Sequence, residues 1–370
     1  MQQQQVRSRM NTPEMQAIRR EIEEASFTKE GMMIAFPTCF PGVTIPITHD
    51  ESRITALDMI PNGTIYGGTS GYQTHLFSAG FYGIKGAVVD LGVVKDAVQC
   101  VAVCCGKTNF AAFVNGPKSG RAIVVMNSRI ANDLIQEWGF SQPEFNDLGE
   151  CVAGEPVVHA VADASSDIII GTTSKHVFKL DLNAKKIEVL GESPAGGRVA
   201  RASKGGFIGR DSASTLWHYN PSTNSFRRGA ITLPGSGAWN LPLMWARDNN
   251  SGVLYTADEE GKFFSFKEDS GFEGPMDKAM LTPVGPMAVS GDGRVFGFCG
   301  SVMSKLFCLD PKTKKVSALG SAASVIEHRR YGYEFGDAVT GREGELIFGE
   351  NDNGGHIWLY FPRIAPAKGI

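Results

Sequence analysis

Apolar and polar residues along this chain form short runs that are separated by Gly-rich turns. The clearest example lies between Glu334 and Phe361, where three apolar runs are divided by a Gly-centred turn and by a polar Gly-rich loop. Short apolar runs bounded by Gly, Asn and Asp are typical of β-strands. This stretch therefore predicts three antiparallel strands.

The same pattern occurs at three earlier places in the chain, at residues 54–78, 156–181 and 283–310. Self-similarity with a period of roughly 40–50 residues and several short strands per unit is the signature of a β-propeller. Divided on this repeat, the chain gives seven units, which begin near residues 54, 97, 156, 198, 241, 283 and 333. We therefore predict an all-β fold, a seven-bladed β-propeller.

The last unit contains only three predicted strands, although a propeller blade needs four. The β-rich stretch from Met32 to Ile47 is predicted to supply the fourth strand and to close the ring, since an open ring would leave sheet edges exposed. Thr12 and Pro13 form an N-terminal helix signal that predicts a short helix to about Ala25. The predicted domains are an N-terminal arm with this helix at residues 1–30 and a propeller at residues 31–370, with a second helical segment near residues 130–138.

Two features recur at matching places in the units. Glycine occupies one position in the second strand of most units, which predicts close approach of the neighbouring blade; the residues are Gly67, Gly171, Gly209, Gly297 and Gly349. A Leu-Gly pair is predicted to end the outer strands where the chain turns inward, at residues 91–92, 148–149, 190–191 and 319–320.

Charge and composition exclude several functional classes. The net charge of −3 over 370 residues gives no electrostatic argument for binding nucleic acid or an anionic membrane, and no segment is long enough to span a bilayer. The N-terminus has no secretory signal pattern, so we expect a cytoplasmic protein. The seven cysteines form no paired CxxC frame, and no nucleotide-binding or serine-hydrolase motif occurs in a usable context.

Basic residues or histidine open the third strand in six of the seven units. We call these six residues the face column: His75, Arg121, His176, Lys262, Lys305 and His356. In a propeller these positions lie on one face, around the central channel. The column therefore predicts a cationic rim that favours an anionic ligand, unless the side chains only contact solvent.

Histidines and neighbouring residues on the same face are the candidates for acid-base chemistry. His159 lies on a predicted inner strand, and Asp337 on another, where side chains can reach the channel. An imidazole near its ordinary pKa is a common general acid or base. In the run from His328 to Tyr333, Arg330 could hold a carboxylate and Tyr333 could donate a proton. Arg210 lies in the equivalent loop of the fourth unit.

No cofactor is predicted, and no established metal-binding loop is present. A divalent ion could still be ligated by Glu350, Asp352 and His356 in the last Gly-rich loop, since carboxylates and imidazole are suitable ligands.

The strings GDAVTGREGELIFGENDNGGHIWLYFP and YGGTSGYQTHLF resemble the repeat of certain seven-bladed propeller carbohydrate enzymes, the ulvan-lyase-like and rhamnosyl-glucuronate lyase- or hydrolase-like families. The resemblance implies that His and Tyr act as base and acid at a uronate, while a cation neutralises its carboxylate. The matching catalytic positions are His75, His159, His356 and Tyr333, and the substrate-binding candidates are Tyr72, His176, Arg210, Lys305 and Arg330.

These observations favour an enzyme that acts on a uronate-containing saccharide or a related small anion at the mouth of the channel, by lyase-type chemistry. The absence of a secretory signal favours an intracellular oligosaccharide. The alternative is a non-catalytic scaffold that binds a protein partner through one face, because propellers serve both roles. The sequence leaves open the exact substrate, lyase against hydrolase chemistry, and the oligomeric state.

Overall fold

The computed structural model describes residues 28, 30–37, 47–82, 85–107, 109–117, 119–126, 143–163, 165–240, 242–301, 303–325, 331–352 and 354–362. Within these ranges the chain forms seven antiparallel sheets, six of four strands and one of five. The predicted seven-bladed β-propeller is therefore confirmed. The two predicted helices, at residues 13–25 and 130–138, and Arg330 lie outside the described residues.

In each blade the first strand is innermost and the strands follow one another outward. Blade 1 contains β2 (Arg53–Met59), β3 (Ile65–Ser70), β4 (Thr74–Tyr82) and β5 (Lys85–Val94). Blade 2 contains β6 (Gln99–Cys105), β7 (Phe110–Asn115), β8 (Gly120–Met126) and β9 (Glu144–Glu150). Blade 3 contains β10 (Val157–Asp163), β11 (Ile168–Thr173), β12 (His176–Asp181) and β13 (Lys186–Glu192).

The remaining blades follow the same plan with shorter inner strands in blades 4 and 5. Blade 4 contains β14 (Ala200–Arg201), β15 (Phe207–Arg210), β16 (Thr215–Asn220) and β17 (Ser225–Thr232). Blade 5 contains β18 (Ala246–Arg247), β19 (Leu254–Ala257), β20 (Phe263–Lys267) and β21 (Gly271–Glu273). Blade 6 contains β22 (Val284–Val289), β23 (Val295–Cys299), β24 (Lys305–Asp310), β25 (Lys315–Ala323) and β26 (Tyr331–Gly332).

Blade 7 combines the two ends of the described chain. It contains β27 (Phe335–Thr340), β28 (Leu346–Glu350), β29 (His356–Pro362) and, as its outermost strand, β1 (Gly31–Pro37). Strand β1 pairs with β29 over its whole length, from Gly31 opposite Pro362 to Pro37 opposite His356. The predicted closure of the ring by the N-terminal strand is confirmed. A 3-10 turn, His49–Glu51, leads into blade 1.

The hydrophobic core consists of seven clusters in the described part of the chain, and each cluster joins one pair of neighbouring blades. The cluster between blades 7 and 1, for example, packs Ile347 and Ile357 against Ile54 and Phe77. Because a blade packs on both of its faces, the second strands are buried along their length, as in β3 and β11. This explains their continuous apolar runs.

The recurrent strand glycines have a different cause from the one that the sequence suggested. At Gly67, Gly171 and Gly209 an added Cβ would meet the aromatic ring of the same blade's third strand, at 2.1–2.3 Å from the nearest ring atom. Each of these glycines pairs directly with that aromatic residue, such as Gly171 with Phe178. Only at Gly349 is the neighbouring blade the obstacle, since its Cβ would lie 2.4 Å from Ile54 Cγ2.

The Leu-Gly pairs mark β-bulges and not the ends of strands. In β5 the pairing with β4 shifts at Leu91, so that Leu76 pairs with Gly92 and Phe77 with Asp90. Strands β9, β13 and β25 shift at the equivalent place. A bulge glycine often has positive φ, and Gly92 has φ of 130°. The expected inward turn comes a few residues later.

None of the helical segments in the described ranges has the length and hydropathy that a transmembrane helix requires.

Candidate functional site in the central channel

The residues of the face column lie at the starts of the third strands, as predicted, but their charges are neutralised locally. Five of the six contact a carboxylate: His75 with Glu51 and Asp90, Arg121 with Asp147, His176 with Glu155, Lys262 with Glu260, and His356 with Glu350. The sixth, Lys305, donates to Ser321 Oγ at 2.8 Å. The rim therefore carries little net charge, and the field expected from six basic residues is largely cancelled.

His75 is the most fully paired imidazole of the column. Its Nδ1 lies 2.8 Å from Asp90 Oδ2 and its Nε2 lies 2.8 Å from Glu51 Oε2, and the residue is only 6% exposed. Burial opposes protonation, but hydrogen bonds and charges of Asp90 and then Glu51 outweigh it, and the pKa of His75 is raised. Both ring nitrogens are occupied by protein partners, which is the arrangement of a structural imidazole.

Asp90 also explains how the bulge and the face column are linked. Its second oxygen accepts the N–H of the bulge residue Gly92 at 2.9 Å. In blade 2, Asp147 repeats the arrangement, accepting the Gly149 N–H at 2.8 Å and pairing with Arg121. An Asp-Leu-Gly sequence thus connects a basic strand-opening residue to the bulge behind it.

The other predicted face residues have separate environments. The guanidinium of Arg210 is buried and donates to the carbonyls of Ser212 and Ala213 and, across the blade junction, to that of Trp239. Tyr72 and Tyr333 are 78% and 43% exposed. These placements do not gather the predicted substrate-binding residues around one point, and their functional roles stay predictions.

The last Gly-rich loop does not assemble a cluster of metal ligands. His356 Nδ1 lies 2.9 Å from Glu350 Oε2, while Asp352 accepts the N–H of Gly354 at 2.9 Å. In the described ranges no three His, Cys, Asp or Glu side chains come together as a metal site would require.

The central channel holds a cavity of about 340 Å³ lined by the inner strands. Its charged or polar lining residues come from blades 1, 3, 4, 5 and 7: Asp58, His159, Arg198, Arg201, Trp245, Arg247, Asn249, Asp337 and Thr340. A volume of this size is at the lower end of the range of about 300–1,000 Å³ that small-molecule sites occupy. Charged side chains in such a cavity are candidates for ligand recognition.

Three residues near the start of the inner strands form the upper layer of the channel: His159, Arg198 and Asp337. Arg198 reaches from blade 4 across the channel to blade 7, where Nη1 lies 3.6 Å from Asp337 Oδ1 and Nη2 donates to Gly336 O at 3.4 Å. Both distances are long for such contacts, so this guanidinium is loosely held.

The hydrogen bonding of His159 fixes its tautomer. The backbone N–H of Val199 donates to Nδ1 at 3.3 Å, so the proton of the neutral ring is on Nε2. Burial, and then the charge of Arg198, lower the pKa of His159 well below its usual value. In this arrangement His159 is a neutral hydrogen-bond donor.

Two arginines from adjacent inner strands form the lower layer: Arg201 and Arg247. Arg247 Nε donates to the Arg201 carbonyl at 3.1 Å, and Arg201 Nη2 lies 2.7 Å from Asp163 Oδ1. Arg247 Nη1 donates to the amide oxygen of Asn249 at 3.4 Å, so both of these acceptors are neutral. Burial, and then the charge of Arg201, lower the pKa of Arg247.

Two donors on the cavity lining lack an acceptor within the described chain. They are Arg201 Nε and Trp245 Nε1, both buried. An unmet buried donor costs about 1–3 kcal/mol, so a water molecule or ligand oxygen is expected to serve these groups.

The acidic residues of the channel lie on the opposite side from the lower layer and are bound to the backbone. Asp58 accepts the N–H of Met59 at 2.8 Å and that of Cys105, in blade 2, at 2.6 Å. Asp337 accepts the N–H of Ala338 at 3.0 Å and that of Leu57, in blade 1, at 2.9 Å. Burial raises the pKa of Asp58 to about 6 and also raises that of Asp337. These carboxyls connect neighbouring inner strands.

Of the four catalytic candidates predicted from sequence, only His159 lines this cavity. Asp337, which was also predicted to lie on an inner strand, lines the cavity too, whereas Arg198, Arg201 and Arg247 were not predicted as site residues. These arginines could have been identified from the sequence, since each lies in or beside a short apolar inner strand, where a charged residue is unusual. They were missed because the inner strands of blades 4 and 5 are short and give only a weak apolar pattern in the sequence.

Comparison with known proteins identifies the fold alone. No protein-family model matches the chain, and no curated protein matches it in sequence. The structure is similar to the extracellular domain of a putative one-component system from B. thetaiotaomicron, with 13% identity and a TM-score of 0.57 over 87% of this chain and 39% of that one. It is also similar to the extracellular domain of a putative hybrid two-component system from the same organism, with 11% identity and a TM-score of 0.53 over 88% and 39%.

A third similar structure is the WD40 β-propeller domain of Doa1, with 10% identity and a TM-score of 0.58 over 92% of this chain and 98% of that one. The chain spans 39% of the length of the two extracellular domains. At these identities the likeness establishes an all-β, seven-bladed propeller and carries no activity with it.

Proposed function

We propose that this propeller binds a small anionic molecule in its central channel. The observation that carries the proposal is the lower layer, where the guanidinium groups of Arg201 and Arg247 come from adjacent inner strands with Asp163 as the one ion-pair partner found for them in the described residues. Burial and the charge of Arg201 disfavour the charged Arg247 guanidinium more than the nearby Asp248 and Asp163 favour it, so an anionic ligand would be stabilised beside these two cations. Guanidinium is suited to carboxylate recognition by paired hydrogen bonds.

A sugar acid is the ligand class that the resemblance in the sequence implies, and the cavity of about 340 Å³ suits a ligand of that size. The proposed lyase chemistry has less support, because His75 and His356 are paired with carboxylates away from the cavity lining. If the protein acts on its ligand, His159 Nε2–H is the group that would donate a hydrogen bond to it, since Nδ1 already accepts one.

Calorimetric titration with glucuronate, galacturonate and neutral glucose tests the proposal. We expect the two uronates to bind and glucose to bind at least about tenfold more weakly, because a hydrogen bond to a charged group contributes about 1.5–3 kcal/mol. Arg247→Gln should weaken uronate binding by a similar factor. Arg227→Gln, which changes an exposed arginine of β17 outside this cavity, is the matched control and should leave binding unchanged.

Circular dichroism and the Tm of both variants establish that they are folded. Equal binding of glucose and uronates, or no binding of either, would contradict the proposal and favour the scaffold alternative. Incubation of the wild-type protein and His159→Asn with uronate oligosaccharides, followed by the absorbance of unsaturated uronate products, tests turnover separately.

A further inference from the structure

The channel contains two separate cationic positions on the segment that enters and forms the inner strand of blade 4. Arg198 belongs to the upper layer and Arg201 to the lower layer, and two residues lie between them, so their Cα atoms are at most about 10 Å apart. Arg198 contacts blade 7, whereas Arg201 contacts Asp163 of blade 3 and accepts from Arg247 of blade 5. The two guanidinium groups therefore serve different parts of the channel.

The guanidinium of Arg198 is only weakly bound by its protein partners and can accept a further anionic partner. Its contact with Asp337 is 3.6 Å and its hydrogen bond to Gly336 O is 3.4 Å, both longer than the usual 2.7–2.9 Å or so of charge-assisted bonds. Asp337 is occupied by two backbone donors, the N–H groups of Leu57 and Ala338. The Arg198 side chain is 25% exposed, so a ligand could reach it.

A neutral donor lies beside this guanidinium. The Nδ1 atom of His159 accepts from the N–H of Val199, the residue that follows Arg198, which leaves Nε2–H as the donor of the ring. A guanidinium and an imidazole N–H together can hold the oxygens of a second carboxylate.

We infer that the ligand is a dianion whose two anionic groups bind at separate positions along the channel, one held by Arg201 and Arg247 and the other by Arg198 and His159. This rests on the proposed function, since it assigns the second end of the same ligand. The class includes long α,ω-dicarboxylates and oligosaccharides with an acidic group at each end. On binding, Arg198 exchanges its loose contact with Asp337 for the ligand.

The test is a titration of the intact wild-type protein with α,ω-dicarboxylates of increasing length, which are succinate, adipate, suberate and sebacate. Each dicarboxylate is compared with the monocarboxylate of the same carbon number at constant ionic strength. Affinity should pass through an optimum length, where the dicarboxylate binds at least about tenfold more tightly than its monocarboxylate partner. Arg198→Gln should remove this gain, whereas Arg227→Gln, outside the cavity, should retain it. Arg198→Lys, which retains the charge, should recover part of it.

The outcomes separate the two proposals. Equal affinity of mono- and dicarboxylates for the wild-type protein overturns the dianion inference but leaves anion binding standing. A gain that persists in Arg198→Gln also overturns it. Failure of every carboxylate to bind overturns both proposals. If Arg198→Gln does not fold, the wild-type length series still decides the inference.

Discussion

The buried imidazoles of the face column illustrate how single residues acquire roles that their positions do not reveal. His75 lies at the predicted place, but its partners Glu51 and Asp90 are 24 and 15 residues away in sequence. The sequence pattern predicts where the strand starts, but the partners of His75 depend on which loop folds over that strand. The same limit applies to Arg198 and Asp337, which meet only because blades 4 and 7 face each other across the channel.

We expect His75→Gln to destabilise the protein most below the pKa of His75. That pKa is raised in the folded state, so the protonated imidazole stabilises the fold fully below its unfolded value of about 6.5, and this contribution is lost as pH rises through the folded pKa. Hydrogen bonds to charged groups contribute about 1.5–3 kcal/mol. Denaturant unfolding at about pH 6 and pH 9 should show the larger difference from wild type at pH 6.

His49→Gln is the control for this measurement, because the His49 side chain is 67% exposed. It should change stability little at either pH. The Glu51 carboxyl acts in the opposite direction, since the Thr48 hydroxyl and then other contacts lower its pKa and its contribution is lost as pH falls through that value. A constant difference between wild type and His75→Gln across the pH range would contradict the assignment.

At the scale of strands, the sequence repeat predicted the seven units and the closing strand because both follow from periodic hydrophobicity. The reason predicted for the strand glycines was wrong. Periodicity indicates that no side chain fits at a position, but it does not indicate which neighbouring residue occupies the space. The ring of Phe178 lies over Gly171 from the next strand of the same sheet. The bulges were missed for a similar reason, since Leu-Gly in a strand resembles a strand end.

Gly171→Ala should destabilise the protein by about 1–3 kcal/mol, which is typical of overpacking. The added Cβ would lie 2.2 Å from Phe178 Cζ, so the buried ring would have to move. The double variant Gly171→Ala, Phe178→Leu should recover part of the loss relative to the sum of the single changes, as a double-mutant cycle measures. Gly235→Ala is the control, because its Cβ would meet nothing within 4 Å. Equal effects at both glycines would contradict the ring contact.

At the scale of the whole molecule, the ring depends on β1. This strand pairs with β29 and places Met33 and Ala35 in the cluster between blades 6 and 7. Deletion of residues 1–37 should therefore lower the Tm strongly or abolish cooperative unfolding, since it exposes a sheet edge and removes buried side chains. Deletion of residues 1–27 retains β1 and should have a smaller effect. Calorimetry on both truncations distinguishes them, and equal Tm values would contradict a closing role for β1.

The pairing of Gly31 with Pro362 has a consequence for protein engineering. The start of β1 and the end of β29 are opposite residues of an antiparallel pair, so a turn of two to four residues or so, such as Asn-Gly, could join them covalently as a hairpin. A circular permutant made in this way would have new termini between residues 37 and 47. Strands β29 and β1, which now close the ring by hydrogen bonds alone, would then belong to one continuous peptide segment.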